Sequence, residues 1–237
     1  MKLMTYNIRL GIQHGVERIA EVINAQGPDI VAIQEVGRHW RMGPPRNTTE
    51  ELSELTGLDY SDFVATIQQE RDEGAPAEYG HAILSRWPIE RVARYDFARD
   101  VDEPRAACVY SVEAPSGAIL VLSLHLSHID AERSKHGPEL LKLAAKYLAE
   151  DLPLFVLGDL NEDSDERVWL SELRELMLDA AGSGDVTDQS ATFPAEDPQD
   201  RIDYLMASRG RWERYEVVDE AFASDHRPVV AEWSDEE

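Results

Sequence analysis

Apolar and polar positions follow two periods along this chain. Residues 2–8, 29–34, 60–68, 79–85, 106–113, 118–126, 152–157, 202–207, 214–218 and 228–233 are short runs of alternating or continuous apolar character, and they predict strands. Residues 15–25 set Val16, Ile19, Ala20 and Ile23 at helical spacing, and Gly27-Pro28 closes that helix. Residues 134–148 predict a second helix, with Leu140, Ala144, Tyr147 and Leu148 on one side. Thr48-Thr49-Glu50-Glu51 reads as a helix start, with Thr48 as N-cap and Glu51 three residues on. Pro115-Ser116-Gly117 between two strand runs is a hairpin link and implies antiparallel pairing, whereas the strand–helix–strand stretches imply parallel pairing. A mixed-sheet α/β domain satisfies both. No internal repeat or low-complexity linker interrupts the pattern, so residues 1–234 are expected to form one domain and residues 235–237 an acidic tail.

Composition narrows the picture. The 237 residues are 43% hydrophobic, enough for a sizeable core. The single cysteine, Cys108, lies in an apolar run and reads as a small buried residue. No run is apolar enough to cross a bilayer and the start does not resemble a signal peptide, so a cytoplasmic protein without membrane insertion is expected. Lys and Arg number 23 against 47 Asp and Glu, a net charge of −24. Such a surface repels nucleic acid, and duplex binding is disfavoured at physiological salt. The one acid-free stretch of arginines is Arg38, Arg41 and Arg46, with Trp40 among them. It reads as a solvated loop or, on a nuclease, as a basic strip with a stacking ring.

Candidate chemistry gathers where apolar strands stop. Asn7 closes the first strand, and Glu35 follows the second. Asp159 and Asn161 follow Leu154-Phe155-Val156-Leu157-Gly158, and Asp225-His226 precedes the last strand. In Leu120-Val121-Leu122-Ser123-Leu124-His125-Leu126 the leucines share one strand face, leaving Ser123 and His125 on the other. Asp203 begins the strand after Arg201-Ile202, and a buried aspartate there needs a partner such as a histidine. A glycine-rich loop of dinucleotide or Walker type is absent, and no Cys/His cluster has zinc spacing.

Thr5-Tyr6-Asn7-Ile8-Arg9, Gln34-Glu35-Val36, Tyr79-Gly80-His81-Ala82-Ile83-Leu84-Ser85-Arg86, Leu124-His125-Leu126, Gly158-Asp159-Leu160-Asn161, Arg201-Ile202-Asp203-Tyr204 and Ser224-Asp225-His226-Arg227-Pro228 together resemble the ordered motif set of the endonuclease/exonuclease/phosphatase family. The resemblance runs from Met4 nearly to the end. It implies a four-layer α/β/β/α sandwich of two mixed β-sheets flanked by helices, and hydrolysis of phosphate esters with Mg²⁺, or Mn²⁺ as substitute.

Roles follow by the same resemblance. Glu35, Asn7 and Asp225 would hold the metal, consistent with the preference of a hard cation for oxygen ligands. Asp159 would orient or deprotonate water, and Asn161 would bind phosphate. His226 would touch the scissile phosphate with Asp203 as its carboxylate partner. His125 would be a second histidine with Glu78 as its acid partner, and Arg105 would be aimed at phosphate. His81 departs from the pattern by standing where small members carry asparagine.

Three function classes compete. A phosphomonoesterase or phosphodiesterase on a small or lipid-like substrate is favoured over a nuclease. An inactive binding relative should have lost one of Glu35, Asp159, Asn161, Asp203 or His226, and all five are present. A calcium module in the acid-rich stretch 159–166 lacks the required spacing. Substrate identity rests with the loops at 38–47, 96–103 and 182–199, where Thr192-Phe193-Pro194 is a candidate site lining.

Overall fold

The computed structural model describes residues 1–43, 46–163, 167–182 and 190–235. Parts of the predicted loops 38–47 and 182–199, the end of the stretch 159–166 and residues 236–237 lie outside the described residues. In chain order the elements are β1 (Lys2–Asn7), a 3-10 turn (Arg9–Gly11), α1 (Gly15–Gln26), β2 (Ile30–Arg38), α2 (Thr48–Thr56), β3 (Tyr60–Gln69), β4 (Ala77–Ser85), β5 (Ile89–Asp96), β6 (Ala106–Ala114), β7 (Gly117–His125), α3 (Asp130–Leu148), β8 (Leu154–Asp159), α4 (Val168–Leu176), β9 (Leu178–Asp179), β10 (Asp203–Ala207), β11 (Arg211–Val217) and β12 (Val229–Ser234).

The strands form two mixed six-stranded sheets, ordered β11-β12-β1-β2-β4-β3 and β5-β6-β7-β8-β10-β9. Each has one central parallel pair, β1 with β2 and β7 with β8, and antiparallel neighbours on both sides. A helix makes each parallel crossover, α1 in the first sheet and α3 in the second. The sheets pack face to face with helices outside, the four-layer sandwich expected from the motifs.

Residue periodicity explains the layering. On β7, Leu120, Leu122 and Leu124 pack beneath α3, while Ile119 and Val121 enter the core between the sheets. On β1, Met4 and Tyr6 pack beneath α1, while Leu3 faces the other sheet. The inter-sheet face is graded along its length. It runs Leu3, Thr5, Asn7 on β1; Ile30, Ala32, Gln34 on β2; Val121, Ser123, His125 on β7; and Phe155, Leu157, Asp159 on β8. One end is apolar and the other polar, and the polar end is where the parallel strands finish. Crevices at the carboxyl ends of parallel strands are where open α/β sheets bind ligands.

Differences from the sequence reading have physical causes. Asn47, not Thr48, caps α2, its Oδ1 accepting the Glu50 N–H at 3.5 Å. The second strand continues past Gln34 to Arg38 because a bulge between Ile33 and Val36 absorbs one extra residue. Strand β5 and helix α4 lie outside the elements read from the sequence. β5 is an edge strand with mostly exposed side chains, and α4 buries only Trp169, Leu170 and Leu173.

Candidate active site

Two backbone features shape the site. Glu35 occupies the bulge with φ +55°, and Asn161, two residues beyond β8, has φ +51°. For a glutamate, the left-handed region costs roughly 1–2 kcal/mol. The bulge therefore turns its carboxylate out of the β2 pleat at a cost that the surrounding sheet sustains. Just before Asp159, Gly158 permits close approach of β8 to β7, since a Cβ there would lie 2.1 Å from the Leu124 carbonyl oxygen.

Asn7 links the two sheets. Its Nδ2 lies 3.3 Å from Glu35 Oε1 and 3.1 Å from Asp159 Oδ2, and its Oδ1 accepts the Arg9 N–H at 3.1 Å. Asp159 Oδ1 accepts the Asn161 backbone N–H at 2.8 Å, and the Asn161 amide reaches the Leu126 carbonyl at 3.0 Å and His125 Nε2 at 3.2 Å. Antiparallel register places Asp203 directly opposite Asp159. Its Oδ2 accepts from the Thr192 hydroxyl at 2.7 Å and from His226 Nδ1 at 2.9 Å. His226 Nε2 then points to the site, 3.9 Å from Asp159 Oδ2, with the Phe193 ring tilted against the imidazole at 4.9 Å. The Ser224 hydroxyl donates to the Asn7 carbonyl at 2.7 Å and so ties the β12 approach to the end of β1. Asp225 sits at the rim, 3.3 Å from Arg9 Nε.

The two histidines have opposite electrostatics. Burial opposes charge on His226, but Asp203, Asp159 and Asp225 outweigh it and carry the imidazole up to about 10. His226 is therefore an imidazolium at neutral pH. Burial, Arg105 and His226 all push His125 well below its ordinary value. A neutral His125 can accept from Arg105 Nη1 at 2.7 Å on Nδ1 and face Asp159 Oδ2 with Nε2 at 3.4 Å. Asp159 is pushed up to about 7 by burial and then by Asp203, against the lowering effects of His226 and Asn7. Burial also raises Glu35, and Asp225 adds to the rise.

This donor set fits a divalent cation. Glu35 and Asp159 both face Asn7 Nδ2, Asp203 stands opposite Asp159, Asp225 lies at the rim, and buried Asp203 Oδ1 has no hydrogen-bond partner. Burial raises Glu35 and Asp159, and a hard cation relieves that cost by stabilising the ionised carboxylates. Asp159, Asp203 and His226 also present atoms within 4.8 Å of one another.

Of the residues singled out in the sequence, Asn7, Glu35, Arg105, His125, Asp159, Asn161, Asp203, Asp225 and His226 meet at this edge. Glu78 does not reach His125. It sits on the opposite face of β4 from Tyr79 and pairs with Arg38. Period-two alternation sends it outward, so that assignment is corrected. Arg105 is 6% exposed, not a surface arginine, and Asp102 and Glu103 flank it at 3.7 and 3.0 Å. Sequence reasoning named Thr192 only as loop lining and gave no role to Asp102 or Glu103. Their signals are weak, because a threonine or acid in a loop is ordinary until a fold brings it to a charged partner.

The profile of the endonuclease/exonuclease/phosphatase family matches residues 4–226. The chain belongs to this family. Its members are divalent-metal-dependent hydrolases of phosphate esters, nucleases included. Over 250 aligned residues the chain is 26% identical to the uncharacterized protein YbhP of Escherichia coli, covering 98% of this chain and 95% of that one. Similar solved structures include an endonuclease/exonuclease/phosphatase from Beutenbergia cavernae, with TM-score 0.75, 23% identity and coverage of 100% of this chain and 72% of the other. A mannosyl-6-phosphatase from Bacteroides thetaiotaomicron has TM-score 0.74 and 20% identity, covering 99% of each chain. Truncated TDP2 from Caenorhabditis elegans has TM-score 0.73 and 18% identity, covering 98% of this chain and 96% of that one.

Proposed function

We propose that this family member hydrolyses small phosphate esters, mono- or diesters, with Mg²⁺ as cofactor and Mn²⁺ as substitute. The observation that carries the reading is the facing of a charged donor and a tunable base. Imidazolium His226, in the approach to β12, and the raised carboxyl of Asp159, at the end of β8, stand 3.9 Å apart. Glu35, Asn7 and Asp225 would hold the cation, which when bound offsets phosphate charge and lowers the pKa of nearby acids. Asp159 then accepts the proton of the attacking water as the water oxygen bonds to phosphorus and the ester P–O bond breaks. The departing oxygen is protonated from solvent. His226 Nε2–H donates to a non-bridging oxygen as charge develops, held in that role by Asp203 and Thr192. Asn161 and Arg105 contact the same phosphoryl group.

The choice of small esters over nucleic acid rests on the arginine stretch. Arg38 is neutralised by Glu78, and Arg46 by Glu51 at 3.0 Å. Trp40 is 7% exposed and packs on Tyr79 with ring centroids 5.7 Å apart, leaving no open face for a base. A mannosyl-6-phosphatase among the structural neighbours acts, by its name, on a 6-phosphorylated mannosyl group rather than on nucleic acid. The test is a turnover screen of sugar phosphates, nitrophenyl mono- and diesters, phospholipids and DNA with Mg²⁺ and Mn²⁺. Small esters turning over faster than DNA supports the reading. Faster cleavage of DNA, abolished by substituting Arg38, Arg41 and Arg46, overturns it.

A further inference from the structure

One face of α3 is committed to a loop rather than to the core. Glu132, Lys135, His136 and Glu139 stand at i, i+3, i+4 and i+7, and all four contact residues 97–102. Glu132 is 1% exposed, and its Oε1 accepts the backbone N–H groups of Asp100, Val101 and Asp102 at 3.1, 2.7 and 2.9 Å. Lys135 pairs with Asp100. His136 Nε2 donates to the Ala98 carbonyl at 2.7 Å, and its ring stacks on Phe97 at 4.9 Å. The Glu139 carboxylate accepts the Ala98 N–H at 3.2 Å.

The loop so held leads into the site. Asp102 accepts the Ser127 hydroxyl and the Glu103 N–H, and lies 3.7 Å from Arg105 Nη2. Glu103 is 3.0 Å from the same nitrogen. The guanidinium is thus fixed between loop carboxylates on one side and His125 on the other. We infer that Glu132, remote from the reacting atoms, is a positioning residue that sets the aim of Arg105 through the three N–H groups of this loop. A buried carboxylate accepting three N–H groups is a strong local constraint, and removing it leaves those donors orphaned. The inference rests on Arg105 being a phosphate contact, as proposed above.

The test is a double-mutant cycle on the full chain with Mg²⁺ and a nitrophenyl phosphate ester, reading kcat and KM separately, with inorganic phosphate as competitive inhibitor. Arg105→Ala is measured first; unchanged activity there refutes the Arg105 reading and the inference with it, whereas a loss there followed by failure of the Glu132 variants refutes the inference alone. Glu132→Leu is expected to raise KM and the phosphate inhibition constant roughly tenfold, with kcat within about threefold. Glu132→Gln keeps an acceptor oxygen and is expected to recover most of the loss. In the Arg105→Ala background Glu132→Leu should add nothing. A loss of equal size in both backgrounds, or no change in either constant on Glu132→Leu, overturns the inference. A fall in thermal stability shared by the Leu and Gln variants without a change in KM overturns it as well.

Discussion

Replacing Asp203 by asparagine tests the electrostatics of the site most directly. The variant keeps the size of the side chain and an acceptor for His226 Nδ1, but it removes the charge. His226 stands at about 10 against an ordinary 6.5, which corresponds to roughly 5 kcal/mol in favour of the imidazolium. Burial opposes that state, and Asp203 is the largest contribution supporting it. Without that charge, burial is opposed only by Asp159 and Asp225, so the imidazole falls from its raised value and gives up its proton at lower pH. A neutral ring whose Nδ1–H still faces residue 203 presents a lone pair at Nε2 where phosphate needs a donor. Losing one such donor costs roughly 100- to 1,000-fold in kcat.

The assay is kcat/KM for a small phosphate ester from pH 5 to 11 in saturating Mg²⁺. The wild-type profile is expected to fall on the alkaline side as His226 loses its proton, below the metal-free value of about 10 because a bound dication favours the neutral ring. In Asp203→Asn that limb should move acid and the maximum should fall. His226→Ala should cost at least as much as Asp203→Asn, since it removes the whole imidazole and not only the Nε2 proton. An Asp203→Asn enzyme whose alkaline limb stays at the wild-type position would refute the pairing as the source of the charge.

Other outcomes follow from the same geometry. Glu35→Gln should raise the Mg²⁺ concentration needed for half-maximal activity at least tenfold while the melting temperature holds, because Glu35 lies in a bulge outside the apolar core; full activity in limiting metal would remove Glu35 from the ligand set. Chelated protein should lose stability in two steps on raising pH. Asp159 is raised to about 7, so its contribution to stability is complete below the unfolded value of about 4 and lost as pH rises through about 7. His226 is also raised, so its contribution is complete below 6.5 and lost as pH rises through about 10. Mg²⁺ should flatten the first step by replacing the Asp159 proton, and scanning calorimetry at stepped pH in chelator or Mg²⁺ reads both; a first step unaltered by Mg²⁺ would place the cation away from Asp159.

Much of this site was legible because it uses strand ends. The apolar-to-polar grading of residues 2–8, 118–126 and 152–157 places Asn7, His125 and Asp159 where each run stops, and the parallel crossovers bring those stops to one edge. Asp203 and His226 are legible for the same reason in reverse, at the beginnings of antiparallel strands. What sequence could not supply was lateral contact. Whether Glu78 meets His125 or Arg38 depends on which face of β4 it occupies relative to a partner 40 residues away. The bulge at Glu35 is invisible because it is a property of two strands in register. The grip of Glu132 on the loop is invisible because its targets are backbone N–H groups, which every residue but proline carries.

The charge of the site sets a further condition on substrate binding. Glu35, Asp159, Asp203 and Asp225 gather around two buried cations, His226 and Arg105, and Arg105 is already flanked by Asp102 and Glu103. The surrounding chain carries −24. A phosphate brings more negative charge into a crevice that holds an excess of it, so the phosphate should bind weakly until a dication enters. Linkage then requires the converse, that phosphate tightens the cation by the same factor. We expect inorganic phosphate to bind at least tenfold more tightly with Mg²⁺ than in chelator, and Mg²⁺ to bind more tightly by that factor when phosphate is present. Two calorimetric titrations measure both arms, and Glu35→Gln should shrink the coupling. Equal phosphate affinity with and without the cation would mean that Arg105, Asn161 and His226 suffice to hold the anion. The carboxylates would then be fully offset by protons and hydrogen bonds, and a metal at Glu35 would lie too far from the phosphate to act on it.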